Sequence, residues 1–356
     1  MGFPIKHALL SHERKTYLDK ERGEKKYQLD LSETNLENID PLYLESLLRD
    51  FHGGYGYPDF YLYDVFIERI CLRFWINLDK SQIFLWHGSF NILERVLHKF
   101  LDLEYLVGYG PQFNEIPSDF EFTWGKYISS NFSSPNMWLS SHLIEETLKK
   151  CPSKTAIYID NPNNPTGYFY MPEEIEKIIK IAQKNNTIVI IDEAFGDYLT
   201  DEYSAIHFVD KYPNLIVVRS MSKFFGLSGL RIWYSAMSKE LSEYYTKVDV
   251  PFEPGVLSLH IWMNLINNND IINDIRTRLS LRKKTIVNFF VEKNIAMAST
   301  NELTPLIFFI KPNNEAFSWV RLIDGSNFNN TFEAVSDYSR LRLPNTEAEM
   351  NLLLKG

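Results

Sequence analysis

The chain has 356 residues, 45% hydrophobic and 15% aromatic, enough apolar side chain for a large core and more naturally two lobes than one. A formal charge of −9 argues against nucleic acid or an anionic membrane surface as partner. The two cysteines, Cys71 and Cys151, stand far apart in no CxxC pattern, which suggests neither a disulfide framework nor a zinc cluster and fits a reducing, cytoplasmic setting.

No apolar run is long enough to span a bilayer, and the opening MGFPIKHALLSHERK lacks the apolar core of a secretory leader. Residues 1–45 read as an arm or part of a small lobe. From Pro41 to Asn77 the pattern is helical, interrupted by FHGGYGYPD. Strands and helices then alternate. QIFLW reads as a strand and SFNILERVLHKFL as an amphipathic helix. LEYLVGY and FEFTW read as strands, SHLIEETLKK as a helix. KTAIYID, a Pro/Asn/Gly loop and PEEIEKIIKIAQKN give strand, loop and helix. TIVIIDEA, LIVVRS and RIWYSAM continue as strands. Near-continuous apolar runs such as TIVII and LIVV suit strands buried on both faces of a largely parallel sheet, and the alternation predicts an α/β fold with crossover helices. After about Lys247 the loop VPFEPG leads into long helices, then the strands LIFFI, WVRLI and SRLRL. The division this suggests is an arm over 1–45, a larger α/β domain over 46–247 and a smaller α+β domain over 248–356.

In open α/β sheets, ligands bind beyond the carboxyl ends of the strands. Four unusual segments fall there. HGSFNILERV places Gly88-Ser89 between a strand and a helix, where backbone N–H groups favour an anion. DNPNNPTG packs two prolines and three asparagines into one turn. In TIVIIDEAF, Asp192 follows an apolar strand, and a carboxylate buried there needs a cation or several donors. SMSKFFGLSGLRIW sets Lys223 in an apolar context with Ser220, Ser222 and Arg231 nearby. A desolvated lysine loses its proton more readily and attacks carbonyls, and an arginine fork suits phosphate. Each segment alone has a bland reading: a helix cap, a turn, an internal ion pair, a lysine reaching water. Together they suit a phosphorylated aldehyde with a basic ring nitrogen.

YGYPD, NPNNPTG, IDEAF, SMSKFFGLSGLR and SRLRL, in this order, resemble the class I/II, fold-type I pyridoxal-phosphate aminotransferases, most closely the histidinol-phosphate aminotransferase-like branch. That resemblance implies a large domain with a mostly parallel seven-stranded sheet flanked by helices, plus a smaller α+β domain. It implies pyridoxal 5′-phosphate as cofactor, a homodimer, and transfer of an amino group from a small-molecule donor to a 2-oxo acid such as 2-oxoglutarate. By the same resemblance Lys223 holds the coenzyme as an imine and later shuttles a proton, and Asp192 faces the pyridine nitrogen. Asn164 bonds the ring hydroxyl, and Phe113 stacks on the ring. Ser220, Ser222, Arg231 and the backbone N–H groups of Ser89 and Phe90 hold the phosphate, joined by Tyr57 of the partner subunit. Arg340 takes the substrate anion, although Arg342 shares its strand face. Phe195 replaces a tyrosine that donates to the ring hydroxyl, and Trp233 replaces a small residue, so the substrate pocket is expected to differ. The related threonine-phosphate decarboxylases, similar at these motifs, supply the alternative chemistry.

Overall fold

The computed structural model describes residues 27–33, 36, 38–123, 125–130, 140–151, 153–312, 317–328 and 335–355. The expected arm before residue 27 lies outside them. The first described strand is β1 (Leu29–Asp30). Helices α1 (Pro41–Arg49) and α2 (Phe60–Phe74) follow, each started by an aspartate, Asp40 or Asp59, that accepts from the backbone N–H two residues on.

The next elements are β2 (Ile83–Trp86), α3 (Ser89–Arg95), β3 (Tyr105–Tyr109), α4 (Glu115–Phe122) and β4 (Lys126–Ser130). FEFTW, read above as a strand, is corrected: Phe120–Phe122 close α4, and the strand begins at Lys126. Phe120 is buried from a helix face, so its aromatic alternation with Phe122 carries no strand periodicity. Then come α5 (Ser141–Leu148), β5 (Thr155–Asp160), α6 (Pro172–Lys184), β6 (Ile188–Glu193), β7 (Leu215–Ser220) and β8 (Trp233–Met237).

These strands form one seven-stranded sheet in the order β2-β8-β7-β6-β5-β3-β4. The pairs from β4 through β7 are parallel, while β8 runs antiparallel to both β7 and β2. The mostly parallel sheet expected from the apolar runs is therefore present. Its strands are covered on both faces. Ile157, Ile159, Val189, Ile191 and Val217 belong to one core; Ala156, Tyr158, Ile190, Ile216 and Val218 belong to the other. That split is the period-2 alternation of a strand. Helix α6 buries Ile175, Ile178, Ile179 and Ala182, a helical stripe matching its sheet face.

Beyond α7 (Lys239–Tyr245), α8 (Val256–Leu265) and α9 (Asn269–Glu292), the chain builds a second sheet from β9 (Leu306–Ile310), β11 (Ile323–Asp324) and β12 (Tyr338–Arg342). Its order is β11-β12-β9, all antiparallel. Between them β10 (Val320–Arg321) pairs in parallel with β1, so the start of the described chain docks on its end. Helix α10 (Glu347–Lys355) closes the chain.

Candidate active site

The parallel strands deliver their last residues to one edge of the sheet. Asp160 ends β5 and stands in register with Asp192 on β6. Both are buried. Asp192 accepts from the Tyr158 hydroxyl at 2.9 Å and from the Ala194 N–H at 3.0 Å. Burial pushes its carboxyl up to about 6, against those two hydrogen bonds. Among the described residues no cation pairs with it. Asp160, which sequence reasoning passed over as part of a loop, organises that loop. It accepts from the N–H of Asn164 at 2.9 Å, the N–H of Phe113 at 3.2 Å and the side-chain amide of Asn163 at 3.2 Å. Burial raises Asp160 to about 7 despite these donors.

Strand β7 ends at Ser220, whose Oγ accepts the Ser222 N–H at 3.0 Å. The tight turn this closes brings Lys223 to the strand end. Tyr198 donates its hydroxyl to the Lys223 carbonyl at 2.9 Å and fixes the backbone there. The Lys223 amine is lowered to about 8, first by burial and then by Arg340 and Arg231, with Glu33 opposing. About a tenth of it is therefore uncharged at pH 7, far more than for an ordinary lysine. Arg231 adopts a left-handed backbone (φ 52°), and its guanidinium lies over Gly88. A Cβ on Gly88 would stand 2.6 Å from Arg231 Nη2, and Gly88 itself has φ 127°, so only glycine fits between β2 and α3. The backbone of Ser89 and Phe90 opens α3 beside this cation.

On the other side of the cleft, β12 brings Arg340 to the Asn164 turn. Arg340 Nη1 donates to Asn164 Oδ1 at 2.9 Å, and Nη2 donates to the Ser32 carbonyl. Arg342 is occupied elsewhere: it donates to the carbonyls of Asp30 at 2.9 Å and Leu343 at 2.8 Å. The structure thus sets Arg340 and Arg231 close enough to Lys223 to act on its amine, Arg340 against Asn164, and Ser220 and Asp192 at neighbouring strand ends on one sheet face, with Phe113 tied to Asp160. Tyr57 is not among them within one chain. It is 82% exposed and packs its ring on Phe252 at 4.9 Å. Trp233 opens β8 opposite both Trp86 and Ser220, on the sheet face that also carries Asp192, and is buried with Ile92 and Leu93. Phe195 is buried as well, its ring stacked on that of Tyr198 at 6.0 Å.

Sequence reasoning also missed a buried ion network behind the same strands. Arg219 pairs with Glu193 and, at 2.7 Å, with Asp197. Arg73 joins Asp197 and Asp201, both at 3.1 Å, and Arg276 joins Asp201 at 3.1 Å. Its members are too scattered along the chain for any local motif.

Two features of the cleft fit pyridoxal 5′-phosphate. The Ser222 Oγ is buried with no partner among the described residues, and Arg231 lays its guanidinium over Gly88 at the start of α3, as a phosphate site requires. Asp192 is a buried carboxylate that lacks a cation, as a protonated ring nitrogen requires. Among the described residues no cluster of metal ligands is present, and no helix is long and apolar enough to cross a membrane.

Residues 27–329 match the family model for aminotransferase class I and II. A histidinol-phosphate aminotransferase 2 of Haemophilus influenzae (strain 86-028NP) is 31% identical over 212 residues, 58% of this chain and 57% of that protein. A histidinol-phosphate aminotransferase of Caldanaerobacter subterraneus subsp. tengcongensis is 26% identical over 264 residues, 73% of this chain and 72% of that one. Across four such relatives the matched stretch spans 42% to 57% of their length. The crystal structure of histidinol-phosphate aminotransferase from Sinorhizobium meliloti in complex with pyridoxal-5′-phosphate superposes with a TM-score of 0.81 at 14% identity, covering 99% of this chain and 96% of that one. At that identity the likeness shows the fold.

Proposed function

The chain belongs to the class I and II aminotransferase family, and from that premise we propose that it catalyses amino transfer with Lys223 as its central base. Its cofactor is pyridoxal 5′-phosphate. The donor is an amino acid or an amino-alcohol phosphate of the histidinol-phosphate kind, and the acceptor is a 2-oxo acid such as 2-oxoglutarate. The observation that carries this reading is the pairing of a lysine amine lowered to about 8 with a buried carboxylate, Asp192, that has no cation of its own.

When bound, the coenzyme supplies an aldehyde that condenses with amines and a ring that accepts electrons from the adjacent carbon. The rest is done by this chain. Lys223 would hold the coenzyme through Nζ and, with that atom free, would take and return a proton there. Asp192 keeps a positive charge on the ring nitrogen favourable, and Tyr158 and Ala194 hold that carboxylate in place. Ser220, Ser222, Arg231 and the N–H groups of Ser89 and Phe90 take the phosphate. Asn164 takes the ring hydroxyl, and Phe113 supplies the stacking ring. Arg340, oriented by Asn164 and the Ser32 carbonyl, clamps the substrate anion. Tyr57 reaches the phosphate in a second copy of the chain, which makes the working unit a homodimer. Residues 46–247 form the cofactor domain, and 248–356 with the arm form the smaller one.

Borohydride reduction of the holoenzyme followed by peptide mass mapping should place the pyridoxyl group on Lys223. Lys223→Ala should lose the visible absorbance of the bound coenzyme and about 10⁴-fold of the rate. A label on another lysine ends this assignment. Release of carbon dioxide in place of amino transfer would assign decarboxylation instead.

A further inference from the structure

Asp160 has no task in the scheme above, yet it is a buried carboxylate that pairs with no cation among the described residues. Its two oxygens have different partners. Oδ2 accepts the N–H of Asn164 at 2.9 Å and the N–H of Phe113 at 3.2 Å. Oδ1 accepts the Asn163 side-chain amide at 3.2 Å, and that amide also donates to the Pro111 carbonyl at 2.9 Å. One carboxylate therefore ties the turn after β3 to the turn after β5. The first turn carries Phe113 and the second Asn164, the residues assigned above to the face and the hydroxyl of the coenzyme ring. Asn164 in turn accepts from Arg340 of β12.

A turn cap is the plainer reading, and it accounts for Asn163 and Asn164, three and four residues on. It does not account for Phe113, which is 47 positions away and shares its oxygen with Asn164. Nor does a cap need a buried charge. A carboxylate without a cation is unfavourable in the interior. Burial first, and also Asp192 in register on β6, raises this one to about 7. The phenols of Tyr109, Tyr127 and Tyr158, from β3, β4 and β5, are held well above their ordinary range by burial and stay neutral. The charge works against the fold at neutral pH, so a task beyond capping is the fuller account of it.

Resting on the aminotransferase reading, we propose that Asp160, as its carboxylate, is a positioning residue that fixes Phe113 and Asn164 at one spacing around the coenzyme ring. Protonation turns one acceptor oxygen into an O–H donor, which then faces another donor. The two turns loosen together, and the coenzyme is held less tightly.

The test titrates the whole chain, freed of coenzyme, with pyridoxal 5′-phosphate and reads binding by absorbance. In Asp160→Asn an amide N–H group meets either Asn163 or the two backbone N–H groups, donor against donor, as in the protonated acid. At about pH 8.5, with wild type ionised, the variant should bind about tenfold more weakly, the worth of one charge-assisted hydrogen bond. At about pH 5.5 the two proteins should agree within about twofold. A purely structural cap would give the same ratio at both pH values. Should Asp160→Asn fail to fold, hydrogen exchange of wild type decides. Between the same two pH values, protection of peptides covering 111–114 and 162–167 should fall together while that of β6 holds. A ratio near one at pH 8.5, an unchanged ratio, or turns that do not loosen together overturns the proposal. If wild type binds the coenzyme but moves no amino group, the activity reading fails, and the affinity ratio still decides for or against Asp160.

Discussion

Asp192 and Glu193 are neighbours at the end of β6, and Arg219 and Ser220 are neighbours at the end of β7. All four are buried, yet they build two different places. Glu193 and Arg219 stand opposite each other in register and close an ion pair, which Ser204, the Ala205 N–H and Asp197 complete. Asp192 and Ser220, one residue away, meet only hydroxyl and N–H groups. A strand turns successive side chains to opposite faces. The same sheet end thus carries a cluster whose charges pair with one another on one side and a carboxylate with no cation among the described residues on the other. Buried charge closed by protein partners holds structure together; buried charge left open calls for a ligand.

Substituting across this divide should separate the two roles. Asp192→Asn should cut the half-reaction rate roughly 10²–10³-fold by removing the charge opposite the ring, measured in single turnover at saturating cofactor. The same change should not harm the apoprotein. Asp192 is raised to about 6 when folded, against 3.8 ordinarily, so its folded form is penalised as pH rises through that interval. Apo Asp192→Asn should therefore melt higher than wild type at pH 7, with the gap closing toward pH 4. A lower melting point would mean that Asp192 has a cation after all. Glu193→Gln should behave in the opposite way. It leaves Arg219 undercompensated and should cost about 3 kcal/mol in denaturant unfolding, while the folded fraction keeps its cofactor absorbance. The smallest effect concerns Lys223. With its amine at about 8, the rate of cofactor capture by apoprotein should rise about tenfold between pH 7 and pH 9, then flatten. A rise continuing past pH 10 would show an ordinary, water-exposed lysine.

The sheet was readable because Ile, Val and Leu runs leave few alternatives, and TIVII and LIVV became wholly or nearly wholly buried strands. Strand β4 escaped because it is the edge strand, half-exposed and polar, and the aromatic FEFTW beside it imitated a strand better. Lys223, Asp192 and Asn164 stood out because each breaks a local rule: a lysine among phenylalanines, a carboxylate after an apolar run, a crowded turn. Asp160 also follows an apolar run, but the crowded turn after it drew the reading, and its role shows only once three donors converge on it. The partners of Arg219 depend on contacts between distant parts of the chain, which no window of sequence contains.

The pairing of β1 with β10 also sets a timetable. Asp30 meets Arg321 from 291 positions away, and the Ser32 carbonyl that orients Arg340 waits on the same closure. During synthesis the seven-stranded sheet can assemble and cover its core while this contact is still missing. A nascent chain stalled before β12 would already carry the residues proposed to hold the phosphate but would lack Arg340, the arginine proposed to hold the donor.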